Sequence, residues 1–300
     1  MNSRITTTTA IMQSLGSDQR RILSRWRALI YLRRASSEYT PDERRWVKVP
    51  QSESDVQSTL NNLFTSQRIE SIPHAPNCFA TRDSFGRRYP LRELELLFEL
   101  NPYTILTHYS ALEHHNFTID QPKVISAWGE SGFGLIPLGT KEEEWQGLDL
   151  PVAHRPKKVI SQRVDWFRGK MDISFGIETV QSGQVPVRVT TPERTLVESL
   201  QHPDRSGGIA NVLRSWQRAE DFVDPDQIVT ITEKFGINLL RQRVGYVAES
   251  VGLMHPAFDE WAARSKRGGS SKLVGGNPFS SEFDSRWNLS LNGPVEILIR

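Results

Sequence analysis

The stretch Ser52–Thr81, SESDVQSTLNNLFTSQRIESIPHAPNCFAT, decides how the fold is read. Ser52 stands where a helix N-cap belongs. From there to about Gln67 the apolar residues Val56, Leu60, Leu63 and Phe64 recur at helical spacing and make one narrow face. The rest of that helix is polar but uncharged: Gln57, Ser58, Asn61, Asn62 and Gln67. The period then drops to two. Arg68-Ile69-Glu70-Ser71-Ile72 alternates, a turn containing Pro and Asn follows, and Cys78-Phe79-Ala80-Thr81 returns as a second strand. A helix with an amide-rich face, leading at once into a hairpin, is the pattern expected at the end of a DNA-reading module.

Upstream, Ser17 is the expected cap of a helix to about Arg34, with Ile22, Trp26, Leu29 and Ile30 at helical spacing. Arg20, Arg27 and Arg34 fall on one stripe away from that apolar face, with Tyr31 among them. Thr40-Pro41-Asp42-Glu43 has a cap, a first-turn proline and a capping-box acid, and predicts a short second helix to about Val49. Residues 1–16 are Thr-rich and read as a frayed arm. The order helix, helix, helix, hairpin is that of a winged helix-turn-helix. The third helix would read bases and the hairpin would be the wing. Gln57, Ser58, Asn61 and Asn62 are the candidate base and phosphate contacts, because amides and hydroxyls pair with base edges. Arg20, Arg27, Arg34, Arg68, Arg82, Arg87 and Arg88 are the candidate phosphate contacts. The plainer reading of a polar helix face is a solvated one.

Downstream, Leu91–Leu100 and Thr104–Phe117 read as helices and Val124–Trp128 as a strand. Strands are expected at about Lys158–Val164, Asp172–Val180 and Val185–Val189. At Thr191-Pro192-Glu193 the period returns to 3.6, and further helices follow at about Gly208–Ala219, Pro225–Phe235, Leu239–Val251 and Pro256–Arg264. Residues 265–281 read as a flexible loop. The alternation Trp287, Leu289, Leu291, Val295, Ile297, Ile299 reads as a terminal strand completing an earlier sheet. The expectation is an α+β protein. Residues 1–89 form a winged-helix DNA-binding domain and residues 90–300 a mixed α/β domain.

Composition narrows the function. The chain has 300 residues, 37% of them hydrophobic, which is enough for a substantial core and excludes a fully disordered chain. No run approaches a membrane span, and the first residues lack the apolar block of a secretory signal, so a cytoplasmic protein is expected. One cysteine, Cys78, excludes a disulfide framework and a multi-cysteine zinc site. The net charge is only +2, but it is unevenly spread: residues 1–50 carry ten Lys/Arg against four Asp/Glu, and residues 90–150 carry three against ten. A basic head suggests nucleic acid.

Catalytic signatures are missing. His108, Glu113, His114 and His115 cluster, but there is no HExxH and no third ligand. The glycine pairs at 207–208, 268–269 and 275–276 have no phosphate-loop context, and there is no GxSxG elbow. No catalytic residue, metal or cofactor is expected.

Four segments, in order along the chain, carry a family resemblance: Tyr109–His115 (YSALEHH), Val187–Val197 (VRVTTPERTLV), Pro203–Ile209 (PDRSGGI) and Arg286–Asn292 (RWNLSLN). Together they resemble the AbiEi-like antitoxins of type IV toxin–antitoxin and abortive-infection systems. Asn116 stands where the family usually has glycine. The resemblance implies a non-enzymatic antitoxin that counteracts a nucleotidyltransferase-like toxin and binds repeats in its own promoter as an autorepressor. Double-stranded DNA and the cognate toxin are then the partners, with no membrane. The alternatives are a regulator of a phage-defence locus without a toxin, and a nuclease-like enzyme built on the 158–189 strands.

Overall fold

The computed structural model describes residues 4–83, 85–265 and 271–298. In chain order the elements are α1 (Thr7–Ser17), β1 (Ile22–Ser24), α2 (Arg25–Glu38), α3 (Gln57–Thr65), β2 (Ile69–Ser71), β3 (Cys78–Thr81), α4 (Glu93–Leu100), β4 (Ile105–Leu106), α5 (His108–His114) and β5 (Val124–Trp128). Then come β6 (Lys158–Val159), β7 (Gln162–Trp166), β8 (Ile177–Ser182), β9 (Val185–Thr190), α6 (Pro192–Gln201), α7 (Ile209–Ala219), α8 (Pro225–Phe235), α9 (Asn238–Ser250) and α10 (Ala257–Ser265). Three two-residue strands end the series: β10 (Ser271–Lys272), β11 (Phe283–Asp284) and β12 (Leu289–Ser290). The architecture is mixed α+β.

The chain divides into two compact units, and the division does not fall at residue 89. The first unit is residues 1–104, 129–164 and 180–187; the second is residues 105–128, 165–179 and 188–300. Strands β7, β8 and β9 each begin in one unit and end in the other.

In the first unit, α1, α2 and α3 pack Ile11, Leu15, Leu29, Leu32, Leu60 and Leu63 into one core. β1, β3 and β2 form an antiparallel sheet in that order, with Ile22 opposite Ala80 and Ile69 opposite Thr81. The expected hairpin is therefore present, with a third strand added. Two expectations upstream fail. Residues 7–17 are helix α1, not a frayed arm, because the Thr6 hydroxyl caps it by accepting from the Thr9 N–H at 3.1 Å; residues 1–3 lie outside the described residues. The next helix begins at Arg25, not Ser17, and Ser24 caps it by accepting from the Arg27 N–H at 3.2 Å. Ile22 and Leu23 are drawn into β1 by pairing with β3, which outweighs their helical spacing.

Residues 40–49 form no helix. Half of the capping box is there: Glu43 accepts from both the N–H and the hydroxyl of Thr40, each at 2.8 Å, while the Glu43 N–H goes to the Thr40 carbonyl. The turn goes no further because Ile5 takes the backbone, donating to Glu43 O at 2.8 Å and accepting from Arg45 N at 3.0 Å. Local capping starts a helix; continuation needs free backbone groups.

In the second unit β4 lies between β5, antiparallel, and β9, parallel, with Leu106 opposite both Ala127 and Val189. Helix α6 starts where the sequence indicated, at Thr191-Pro192, and the Thr191 hydroxyl accepts from Arg194 N–H. Its Leu196, Val197 and Leu200 join Val212, Leu213 and Trp216 of α7 and Val244, Val247 and Ala248 of α9 in the core. Gly207 and Gly208 both take left-handed φ values, 80° and 85°, at the turn into α7.

The expected long terminal strand is reduced to β12, which pairs parallel with β10 and antiparallel with β11. Val295–Leu298 is a 3₁₀ turn instead, and Ile299 lies outside the described residues. Of the alternating residues, Trp287 and Leu289 are buried in the second core and Leu291, Val295 and Ile297 pack against it without strand geometry beyond β12. Trp287 packs against α9, where Gly245 leaves room: a Cβ at that position would fall 1.9 Å from the indole ring. Of the loop read as flexible, residues 266–270 lie outside the described residues.

Candidate nucleic-acid interface

The arginine stripe does not face outward, and Arg20 lies before β1 rather than on α2. Arg27 is 1% exposed and Arg20 is 7% exposed. Both donate to one carboxylate, Glu99 of α4: Arg27 Nε to Oε1 at 2.5 Å and Arg20 Nη1 to Oε1 at 3.2 Å. Ser24 Oγ donates to Glu99 Oε2 at 2.6 Å. The Arg27 guanidinium also lies over the Trp26 ring, 4.4 Å from its centroid, and gives a further hydrogen bond to Leu138 O at 3.2 Å. Arg34, half-buried, donates through Nε to Glu144 at 2.8 Å and lies 3.6 Å from Asp18. As phosphate contacts these three arginines are a misreading. The cause is visible in the charge blocks: the carboxylates answering the basic head are Glu99 and Glu144 in the acidic middle. A helical wheel shows which side of a helix is polar, not what lies against it.

Neighbouring Glu95 shows the same economy. Its Oε1 accepts from the backbone N–H groups of Arg21 and Ile22, at 2.7 and 3.0 Å, pinning β1. Burial pushes its carboxyl above the usual range, against the pull of those two N–H groups.

Helix α3 behaves otherwise. Leu60 and Leu63 are buried, while Gln57, Ser58, Asn61 and Asn62 are all exposed. Gln57 Nε2 donates to Asn61 Oδ1 at 2.9 Å across one turn, which orients both amides. Arg68 follows α3 directly and is exposed, its guanidinium making no bond among the described residues. It lines a cleft of about 440 Å³ together with Gln19, Arg21, Thr81, Arg82 and Tyr89. Arg21 was not a candidate from sequence. Its guanidinium lies 5.3 Å from the Tyr89 ring centroid and donates to Pro90 O at 3.3 Å.

Arg82 and Arg88 are both paired with Glu70 of β2. Burial of Glu70 opposes ionisation, but the hydrogen bonds from these two arginines outweigh it and hold the carboxyl below its ordinary range. Arg87 is exposed with its side chain unpaired among the described residues. The interface residues are thus the α3 amides followed by Arg68, and Arg82, Arg87 and Arg88 beyond the hairpin, two of them sharing Glu70 as counter-ion.

Cys78 is buried in β3, and burial pushes its thiol up. Among the described residues no three His, Cys, Asp or Glu side chains are grouped to hold a metal, and no helix is long and apolar enough to cross a membrane.

No family model matches the chain, and comparison with curated proteins finds no match. Among solved structures, the chain is similar in fold to the RV2827C protein from Mycobacterium tuberculosis, with a TM-score of 0.56 at 15% identity, over 99% of this chain and 96% of that one.

Proposed function

We propose that the first unit carries a winged helix-turn-helix that binds double-stranded DNA, and that the protein is an autorepressing antitoxin. The observation that carries the DNA reading is α3. It is packed through Leu60 and Leu63, it presents four uncharged polar side chains to solvent, and it leads straight into the β2–β3 hairpin of a three-stranded sheet. An uncharged amide face is suited to base edges, and Arg68 beside it to a phosphate. The order α1, β1, α2, α3, β2, β3 with sheet order β1-β3-β2 supports a winged helix.

The antitoxin part rests on the four family-like segments. Their residues act architecturally here: Thr191 caps α6, Gly207-Gly208 form the turn into α7, and Ser110 Oγ accepts from Ser126 N–H at 2.9 Å. They support kinship of fold, and antagonism of a toxin encoded beside this gene is the role that such kinship would imply. The test has two arms. Fluorescence anisotropy on DNA from the gene's own promoter should show sequence-preferring binding over random duplex. Co-expression with the adjacent gene should restore growth that the adjacent gene alone arrests. Binding without rescue favours a regulator with no toxin partner; rescue without binding removes the DNA reading.

A further inference from the structure

The second unit holds a cavity of about 230 Å³ that the DNA reading does not use. Its wall is built by α6, the loop before β8 and the end of α8. Arg194, Glu198 and Gln201 lie at one helical face of α6, followed by His202. Lys170, Asp172 and Phe175 come from the loop, and Lys234 and Phe235 from α8. His108, the first residue of α5, closes it together with Phe167.

Three features set this cavity apart from a packing defect. First, His108 is 3% exposed, yet its Nε2 has no hydrogen-bond partner among the described residues; only Nδ1 is engaged, 3.0 Å from the Thr107 hydroxyl. A buried ring nitrogen left unpaired is costly unless something fills the space beside it. Second, cations outnumber carboxylates. Lys170, Arg194 and Lys234 line the cavity against Asp172 and Glu198. Asp172 is already engaged by the N–H and hydroxyl of Ser174, at 2.9 and 2.7 Å; Arg194 and Glu198 pair with each other through Arg194 Nε at 2.7 Å, with Glu198 Oε2 unpaired among the described residues and burial raising that carboxyl toward its neutral form, so Lys170 and Lys234 are the cations left to a ligand. Burial first, and then His202, Arg205 and Arg194, lower the His108 pKa to about 3 and keep the ring neutral. Third, the lining is aromatic as well as basic. His108, Phe167 and His202 form a mutual ring cluster with centroids 5.4–5.7 Å apart, and Phe175 and Phe235 meet edge to face at 5.9 Å. Arg194 and Lys234 both lie over Phe175, at 4.5 and 4.9 Å from its centroid.

We propose that this cavity binds a small organic phosphate, its phosphoryl oxygens held by Lys170, Lys234 and Nε2 of His108 and its flat apolar part lying among the phenylalanine rings. The bound anion selects the histidine tautomer in which Nδ1 accepts from the Thr107 hydroxyl and Nε2–H donates to the ligand. The phosphate class is favoured over a carboxylate because two mobile lysines and an imidazole N–H suit a tetrahedral dianion. An inorganic ion would leave most of the aromatic wall unfilled.

The probe is phenyl phosphate, titrated into the full chain by calorimetry and by ¹⁵N NMR of histidine-labelled protein, with inorganic phosphate, benzoate and phenol in parallel. The expected result is saturable phenyl phosphate binding at least tenfold tighter than inorganic phosphate or benzoate, no binding of phenol, and movement of the His108 Nε2 resonance on titration. Lys170 and Lys234 are exposed, so Lys170→Ala and Lys234→Ala should keep the circular dichroism melt and each weaken binding about tenfold. His108→Gln keeps a donor amide and should bind more tightly than His108→Leu. Equal affinity for benzoate overturns the phosphate class. Unchanged affinity in both lysine variants, an unmoved Nε2 resonance, or no saturable binding of any probe overturns the site.

Discussion

At the residue scale, Glu99 organises the first unit more than any arginine does. It is 2% exposed and holds Arg20, Arg27 and Ser24 together. Removing one partner of a buried pair leaves charge uncompensated, so Glu99→Ala should lower unfolding free energy by about 3–5 kcal/mol in urea titration. The more exposed Arg34–Glu144 pair should be worth under about 1 kcal/mol when Arg34 is changed to Gln. His108 gives a second prediction, with its sign fixed by burial. The native ring stays neutral down to about pH 3, whereas the unfolded chain takes up a proton near the ordinary value of 6.5. Stability should therefore fall as pH drops below 6.5, by up to about 1.4 kcal/mol per pH unit from this residue. Burial also lowers the pKa of His114, His115 and His202, with the same sign; Glu95 and Glu198, raised by burial, act oppositely. Urea melts at pH 7.5, 6.5 and 5.5 should thus show a shallower pH slope for His108→Asn than for the native chain. Equal slopes would place the acid sensitivity elsewhere.

At the scale of elements, α3 and the hairpin were legible and α1, β1 and the 40–49 segment were not. Helix α3 announces itself because its apolar residues face one core and its other residues, Thr59 excepted, face solvent, the arrangement that periodicity measures. β1 is only three residues long and exists because β3 pairs with it, a contact made across more than fifty residues of chain. The interface prediction belongs here. Asn61→Ala or Asn62→Ala should weaken the preferred DNA sequence by about 1–3 kcal/mol while leaving random duplex nearly unaffected. Arg68→Gln and Arg87→Gln should each flatten the slope of log K against log salt by about 0.9. Arg82→Gln and Arg88→Gln should flatten it less, since the two share Glu70 as counter-ion and the trio carries one net positive charge rather than two. Anisotropy titrations at several salt concentrations separate the two classes.

For the whole molecule, the division of the chain changes what a fragment can do. A boundary at residue 89 would leave a self-sufficient 90–300 domain. Residues 90–104, 129–164 and 180–187 instead belong with the N-terminal helices. A fragment starting at Tyr89 would strip Glu95 and Glu99 of their partners and leave Trp145 without Trp26 and Ile30. It should therefore be poorly soluble or show a broad, non-cooperative circular dichroism melt. Separation of DNA binding from toxin rescue is better sought with Asn61 and Arg68 variants of the full chain. A cooperative melt from the fragment would mean that the first unit's contacts are dispensable.

The sequence by itself determined what depends on neighbours in the chain: the α6 start at Thr191-Pro192, the Gly207-Gly208 turn, the helices from α7 to α10 and the polar face of α3. Caps, fixed φ values and 3.6-residue spacing are written within a few residues of one another. Tertiary structure alone decided where charge ends up. The +6 head and the −7 middle, read as separate surfaces, meet in part as buried pairs, Arg20 and Arg27 with Glu99 and Arg34 with Glu144. Sequence shows the charges, and only the packed chain shows which are left for a partner, because a charge buried with its counter-ion is spent on folding.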